Sequence, residues 1–390
     1  MKIKKYFGVF LLSINIFSIL ISKDLITIVG TTNVHGEIDP CGWKKKPLGG
    51  LARKATILEQ IKNENITPLV IDSGNLFFKK EKVEPGITIE TAKVNAEVIM
   101  KSFNKMGCDA FSPGVKDFAG GKDYLLRLER KSNFPFISSN IAHSSNNKLI
   151  FDPYTIKNIN GYEIGIIGLS SNFESEGVSI LDPISSLNSI FNEVYNKSDV
   201  VILLLHADTK DEQLLNQIYN SNLAIDLILR SGARTRSSDG GSKIPTYIAG
   251  DRGKMLYKFE LNLVDKENSF IDIPWCNNTI DRMNERLNKM KKGNLEADLF
   301  DLYKNDPTTL NRINNYMNQL EKANQLLENA INTISLTKIE LSKTIFDKPD
   351  ILKIVDVGKL KIKDLIGPIL PSQIDSEGRA PGDPHYGHGH

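Results

Sequence analysis

Apolar residues along this chain recur with two periods, and the two alternate. Short runs rich in Val, Ile and Leu predict strands over residues 25–30, 67–73, 109–112, 134–140, 162–169, 200–206, 226–229 and 256–264. The runs at 162–169 and 200–206 are too continuously apolar for surface strands, so each needs cover on both faces. Between the strands the period changes to that of a helix. Leu51, Ala55, Leu58 and Ile61 share a face over 48–62, and Ala92, Ala96, Ile99, Phe103 and Met106 share one over 89–106. Strands alternating with helices of this length predict an α/β fold.

Past residue 264 helical spacing takes over. Helices are predicted over 279–290, over 295–303 and from Asp306, a capping residue with Pro307 in the first turn. In the last of these, Ile313, Met317, Leu320, Asn324, Leu327, Ile331 and Ile334 recur at spacings of four and three. That is a heptad seam over 307–335, with one Asn able to set register or partner number. Two readings of it stand side by side: a helix pair packed on its own domain, or a coiled coil joining a second copy or a partner protein. Asp347-Lys348-Pro349-Asp350 caps a last helix reaching Val357. Residues 371–390 are rich in Pro and Gly and end in His385, His388 and His390, a flexible solvated tail or a transition-metal site.

Composition narrows the class. A chain of 390 residues, 40% of them hydrophobic, can bury a sizeable core and has room for two domains. A formal net charge of +2, with no basic stripe interleaved with aromatics, predicts no nucleic-acid partner. Lys2, Lys4 and Lys5 precede an apolar run over 6–21, which reads as a signal peptide over 1–23. Export to the periplasm or another extracytoplasmic compartment follows, with no membrane span once the leader is removed; a retained N-terminal anchor is the other reading. Cys41, Cys108 and Cys276 are an odd set for an exported chain, so at least one is free or pairs outside it.

The candidate chemistry gathers at residues 31–55, where a strand ends in a polar turn and a Gly-Gly pair leads into a helix. Strand ends of this kind are where α/β sheets expose functional groups. Thr31-Thr32-Asn33-Val34-His35-Gly36 resembles the TNDxHG opening of the calcineurin-like metallophosphoesterases of the 5′-nucleotidase/UDP-sugar hydrolase group. Further blocks match in the family's order: Gly49-Gly50-Leu51-Ala52-Arg53, Asp72-Ser73-Gly74-Asn75, Gly114-Val115-Lys116-Asp117-Phe118, Ser139-Asn140-Ile141, Leu205-His206-Ala207 and Ala249-Gly250-Asp251-Arg252-Gly253-Lys254. The resemblance implies a four-layer α/β/β/α sandwich over 24–265, followed here by an α-helical extension over 276–370. It also implies a substrate-binding domain of roughly 200 further residues, where this sequence has helical patterning instead.

The resemblance implies a site of two metal ions held by His, Asp and Asn, one Asp bridging, with a separate His near the leaving oxygen. At those positions this sequence departs. Asn33 stands for the first Asp and Asn75 for the bridging Asp; Val115 and Lys116 stand for the metal-binding Asn and the catalytic His. Gly232 and Arg234 stand for two later His. His35 and His206 survive. The expectation is no cofactor, or one weakly held divalent metal on His35, His206, Asn33 and Asn75. Where the family carries groups that bind cations, this chain carries Lys116, Arg230 and Arg234, which predicts an anion-binding cleft for a phosphate or carboxylate.

Cys41-Gly42-Trp43 resembles a degenerate exported subgroup carrying CGC, or selenocysteine in the second cysteine position, before NPLGG; Trp43 stands at that second position. The gene's codon at Trp43 decides whether the position is recoded. Lys44, Lys45 and Lys46 beside Cys41, with a helix start nearby, predict a lowered thiol pKa if the thiol is functional. Structural pairing with Cys108 or Cys276, or an inert buried thiol, are the alternatives. Three functions follow: a non-catalytic binding or accessory protein on a nucleotidase-like fold, an atypical phosphoesterase with one metal, or a thiol accessory protein using Cys41.

Overall fold

The computed structural model describes residues 25–42, 46–64, 66–232 and 244–367. The leader over 1–23, Trp43, Lys44, Lys45, Arg234 and the tail from 371 lie outside the described residues.

β1 (Ile26–Thr31) is followed by a small hairpin, β2 (Pro40–Cys41) with β3 (Leu48–Gly49), then by α1 (Leu51–Asn63), β4 (Leu69–Asp72), α2 (Ile87–Met106) and β5 (Ala110–Phe111). A 3-10 turn, Val115–Phe118, and α3 (Lys122–Lys131) lead to β6 (Ile141–His143), β7 (Tyr154–Ile159), β8 (Tyr162–Ser170), β9 (Val178–Ile180) and α4 (Pro183–Asn196). β10 (Val200–Ala207), α5 (Glu212–Asn220), β11 (Leu227–Gly232), β12 (Thr246–Tyr247) and β13 (Met255–Asn262) follow. Local chemistry sets the boundaries. Asp182, for example, accepts from Ser185 N at 2.8 Å ahead of Pro183 and so starts α4.

Two sheets carry the molecule. The first has the order β14-β15-β13-β1-β4-β5 and the second β12-β11-β10-β8-β7, where β14 is Phe270–Asp272 and β15 is Asn332–Glu340. β1, β4 and β5 run parallel, as do β8, β10, β11 and β12. One face of each sheet meets the other: Ile26, Ile28, Leu69 and Ile71 pack with Ile164, Ile166, Ile202, Leu204, Leu227 and Leu229. The opposite faces take helices, α1 and α2 over Val29 and Val70, α4 and α5 over Leu203 and Leu205. Period-2 strands buried on both faces thus give the four-layer α/β/β/α sandwich.

Several expectations are corrected. Residues 134–140 are not a strand: Phe136 and Ile137 make only isolated bridges, to Phe111 and Asp152. The extension over 276–370 is not purely helical. After α6 (Ile273–Met290), α7 (Leu299–Leu302) and α8 (Pro307–Glu328), the chain returns to the first sheet as β15, antiparallel to β13. The heptad over 307–335 therefore breaks at Glu328. Thr333, Ile334, Thr337 and Ile339 are β-branched, and Ile334 is buried between the sheets with Leu336 against it, so the stretch follows period two. Asn324 is exposed and donates to Leu320 O of its own helix at 3.1 Å, outside any seam, while Ile313 packs with Leu287 of α6. α9 (Pro349–Ile366) outruns its expected end at Val357 and lies on α1 and α2, joining the outer helical layer. Among the described residues no helix is long and apolar enough to cross a membrane.

Candidate functional site

The C-terminal ends of β1, β4 and β5 in one sheet meet those of β10 and β11 in the other. Beneath the cleft lie two buried carboxylates. Asp72, the last residue of β4, accepts from Thr31 Oγ1 at 2.6 Å and from Gly74 N at 2.9 Å. Lys54 Nζ reaches Thr31 Oγ1 at 3.1 Å from α1 and sits 4.0 Å over the Phe103 ring. Asp117 accepts four backbone N–H groups, from Gly114, Asn75, Leu76 and Phe77, each at 2.8 Å. It thereby clamps turns 74–77 and 114–117 together. Gly74, at φ +108°, could carry no side chain, since a Cβ would come within 2.6 Å of Ser112 O. Burial raises Asp72 to about 7 against the pull of Lys54, and raises Asp117 to about 6 against its four N–H donors.

Above this frame stand the positions singled out from the sequence. Asn33 and Asn75 both occupy left-handed backbone, φ 54° and 55°, which Asn tolerates. Asn75 Nδ2 donates to Asn33 Oδ1 at 3.2 Å, Gly232 N donates to the same oxygen at 3.0 Å, and Lys116 N donates to Asn75 Oδ1 at 3.1 Å. The two amides are 3% and 2% exposed, so these bonds are closed to water. Lys116 Nζ lies 3.5 Å from His35 Nδ1, and His35 Nε2 lies 3.4 Å from Asp251 Oδ1. An ammonium has only hydrogens to give, so Nδ1 accepts and the ring proton sits on Nε2, facing Asp251. Burial lowers the His35 pKa, with Lys116 adding to the effect and Asp251 opposing it.

His206, on β10, faces the same cleft from the second sheet. Its Nδ1 is 3.0 Å from Ser231 Oγ, and Ser231 Oγ donates to Ser73 O at 2.6 Å. The single hydroxyl hydrogen is thus committed, so His206 Nδ1 donates and its Nε2 is the acceptor nitrogen. Burial holds the ring neutral, with its pKa down at about 4. The structure therefore brings together Asn33, His35, Asn75, Lys116 and His206.

It separates others. Arg230 is the neighbour of Ser231 on β11 and points to the opposite face of the sheet, where Nε donates to Ala207 O at 3.0 Å and the guanidinium also meets Asp208 O. Strand alternation thus takes it out of the expected anion cleft. Arg234 lies outside the described residues. The expectation of an activated Cys41 is also corrected. Its Sγ meets Arg252 O at 3.9 Å, and burial, with Glu37 next, pushes the thiol pKa up. Cys41, Cys108 and Cys276 are all free thiols. Cys108 is raised further by burial, beside Lys54 and Asp72.

Sequence reasoning gave no role to Glu37, Asp251, Arg252 or Ser231, and it counted Asp117 only among possible metal ligands, whereas its oxygens are taken by four backbone N–H groups. Arg252 holds Glu37 through Nε at 2.9 Å and a terminal nitrogen at 2.6 Å, and its own N–H donates to Asn33 O at 2.7 Å. Asp117, Asp251 and Arg252 fall inside the matched blocks 114–118 and 249–254, which was the available signal.

A pair of metal ions does not fit these donors. Among the described residues no three His, Cys, Asp or Glu side chains cluster as a metal site. The amide oxygens of Asn33 and Asn75 already accept N–H bonds, and His35 Nδ1 faces an ammonium. Gly232 has φ +90°, and a Cβ there would meet Ala207 O at 2.8 Å, so this backbone admits no imidazole at a position where the resemblance implies one.

No family model matches the chain. In sequence it is similar to the 5′-nucleotidase of Vibrio cholerae, 25% identical over 194 residues, which are 46% of this chain and 33% of that protein. It is also similar to protein UshA of Salmonella pullorum, 25% identical over 247 residues, 59% of this chain and 42% of that one. The chain thus spans about a third to two fifths of the length of these curated relatives. Among solved structures, the 5′-nucleotidase precursor of Thermus thermophilus matches with a TM-score of 0.58 and 14% identity, over 88% of this chain and 60% of that one. The 5′-nucleotidase of Candida albicans matches with a TM-score of 0.52 and 12% identity, over 87% and 59%.

Proposed function

We infer, for a chain with the metallophosphoesterase fold of the 5′-nucleotidase group, that it is an exported binding or accessory protein whose cleft holds a small phosphate-bearing or other anion without hydrolysing it. One observation carries this reading: Lys116 Nζ sits 3.5 Å from His35 Nδ1, above two amides bonded to each other where the resemblance implies carboxylates. A tethered ammonium supplies positive charge that a metal would otherwise supply, and it can meet an anion directly. Asp251 opposite His35 balances part of that charge, so the affinity is modest. The basic and then apolar stretch over 1–21 supports export.

A second reading has its own support. Neutral His206 keeps Nε2 as an acceptor, which is the form that can ligate one divalent ion for a slow phosphoesterase. The test is a paired measurement on the full chain: phosphate binding by calorimetry, and hydrolysis of adenosine 5′-monophosphate with Mn²⁺ added. The first reading expects saturable phosphate binding that is abolished in Lys116→Met, and no turnover. Turnover that disappears in His206→Ala would replace it with the second.

A further inference from the structure

The cleft keeps one acceptor open. His206 Nδ1 is committed to Ser231 Oγ at 3.0 Å, and Nε2 has no hydrogen-bond partner among the described residues, on a residue only 3% exposed. A buried acceptor left open carries a cost that a ligand's donor can remove. The ring lies against the same amide as Lys116. A Cβ at Gly114 would fall 2.6 Å from His206 Nδ1 and 2.8 Å from Asn75 Oδ1, the oxygen that accepts Lys116 N at 3.1 Å. Asn75 O accepts from His35 N at 2.8 Å. On the other side, a Cβ at Gly232 would fall 3.0 Å from His206 Cε1. Lys116, His35 and His206 are thus gathered around one asparagine. Beyond burial, the Lys116 charge lowers the pKa of both imidazoles, so it lies within electrostatic reach of each.

The cleft therefore offers a positive donor and a neutral acceptor together, and the protons of an anion decide whether it satisfies both. At about pH 8 an imidazole is uncharged even at its ordinary pKa. Free orthophosphate is then a dianion that keeps one hydroxyl, so it can accept from Lys116 and donate to Nε2. Sulfate has the same charge and tetrahedral shape but no proton. A phosphate monoester, with its second pKa at about 6, has lost its own. Either would set an oxygen lone pair against that of Nε2. A site that hydrogen-bonds a hydroxyl rejects the analogue lacking it, because a buried polar group is left unpaired. Asp251 is a further acceptor in the cleft, but it already faces His35 Nε2 at 3.4 Å and its side chain is 49% exposed.

We propose that the cleft selects free orthophosphate over sulfate and over phosphate monoesters, with Lys116 Nζ donating to the anion and His206 Nε2 accepting its hydroxyl. This rests on the anion-binding reading above. It makes Ser231 a positioning residue, since its bond to Nδ1 keeps the lone pair on Nε2. The test is calorimetric titration of the full chain at about pH 8, at fixed ionic strength and with a chelator present, using phosphate, sulfate and methyl phosphate in turn. Phosphate is expected to bind at least about tenfold more tightly than either of the others. Ser231→Ala frees the ring to carry its proton on Nε2, and His206→Phe removes the lone pair while keeping a ring. Each should shrink the preference about threefold or more. The ratio between anions is read within one variant, so a general loss of stability does not imitate this result. Should His206→Phe not fold, the wild-type ratio and Ser231→Ala still decide. Saturable phosphate binding that sulfate or methyl phosphate matches overturns the proposal and leaves the anion-binding reading standing. No saturation by any of the three overturns both. A preference unchanged in the variants overturns the roles given to His206 and Ser231.

Discussion

The two carboxylates under the cleft and the two amides above them are held quite differently, although Asp72 and Asn75 are only three residues apart in sequence. Asp72 and Asp117 are sealed from water, and their oxygens take backbone and hydroxyl donors that define the turns. Asn33 and Asn75 take two backbone donors and each other. The lower pair fixes where the chain goes, and the upper pair fixes what the cleft can bind. This separation lets the turns of the site stand whether the groups above them are carboxylates, as the resemblance implies, or amides, as here. Asp117 holds the backbone of Asn75, and Gly74 O holds that of Asn33. Shape and chemistry are therefore set by different residues.

The largest effect should come from cutting the lower pair. Asp117→Ala strands four backbone N–H groups at once, since Asp117 is the acceptor for each among the described residues. A loss of about 4 kcal/mol or more is expected, read as a shift of the denaturant midpoint. Asp117→Asn keeps one acceptor oxygen and should lose much less. If Asp117→Ala were nearly neutral, the turns would be held by something other than this carboxylate and the contrast between the two pairs would fail.

Much of the lower layer was legible in the sequence, because it is written in periodicity and in glycine. Strands β1, β4, β8, β10 and β13 and helices α1 and α2 follow from apolar spacing, and the blocks at 72–75 and 114–118 mark the turns between them. The motif resemblance to the 5′-nucleotidase group agrees with the relatives and solved structures that the chain matches. The upper layer was legible only as residue types. Nothing in Arg230 as a letter says that strand alternation turns it to the far face, and the three lysines after Cys41 gave no hint that Glu37 faces the thiol. Likewise Ile334 fits a heptad as well as a strand, and the choice depends on the place beside β13, which only the assembled sheet supplies. What local spacing cannot encode is partnership across the chain.

The two regions also respond to pH with opposite sign. Asp72 and Asp117 have folded pKa values raised to about 7 and about 6. Between the unfolded value near 3.8 and those values the folded chain holds more protons, so their contribution to stability is full below that range and falls as pH rises through it. His206 is the reverse. Its folded pKa is lowered to about 4, so between 6.5 and 4 the unfolded chain takes the proton first and stability falls as pH falls. Its share is on the order of 3 kcal/mol across that window. His206→Gln should remove it, leaving a variant whose stability declines from pH 4 to 7 where the wild type is flatter. Chemical denaturation at stepped pH reads the difference directly. A His206→Gln curve parallel to the wild type would mean that the imidazole titrates at the same pH in the folded and unfolded chain, contrary to the burial of its ring.

A smaller and more pointed effect concerns the upper pair alone. Asn33→Asp/Asn75→Asp changes two amides 3.2 Å apart into two carboxylates without altering their shape. With no cation between them they repel, and one must stay protonated, so the variant should be less stable by about 2 kcal/mol at neutral pH. Added Mn²⁺ should restore that loss in the variant and leave the wild type unmoved, since a metal that binds only the folded chain stabilises it by mass action. The readout is the melting temperature with and without the ion, which reports binding whether or not any catalysis returns. Equal stabilisation of wild type and variant would mean that the amides already hold a metal, so that neutral oxygens suffice in this cleft. Recovery in the variant alone would assign the loss of metal affinity to two carboxylate-to-amide changes on a frame that Asp72 and Asp117 keep in place.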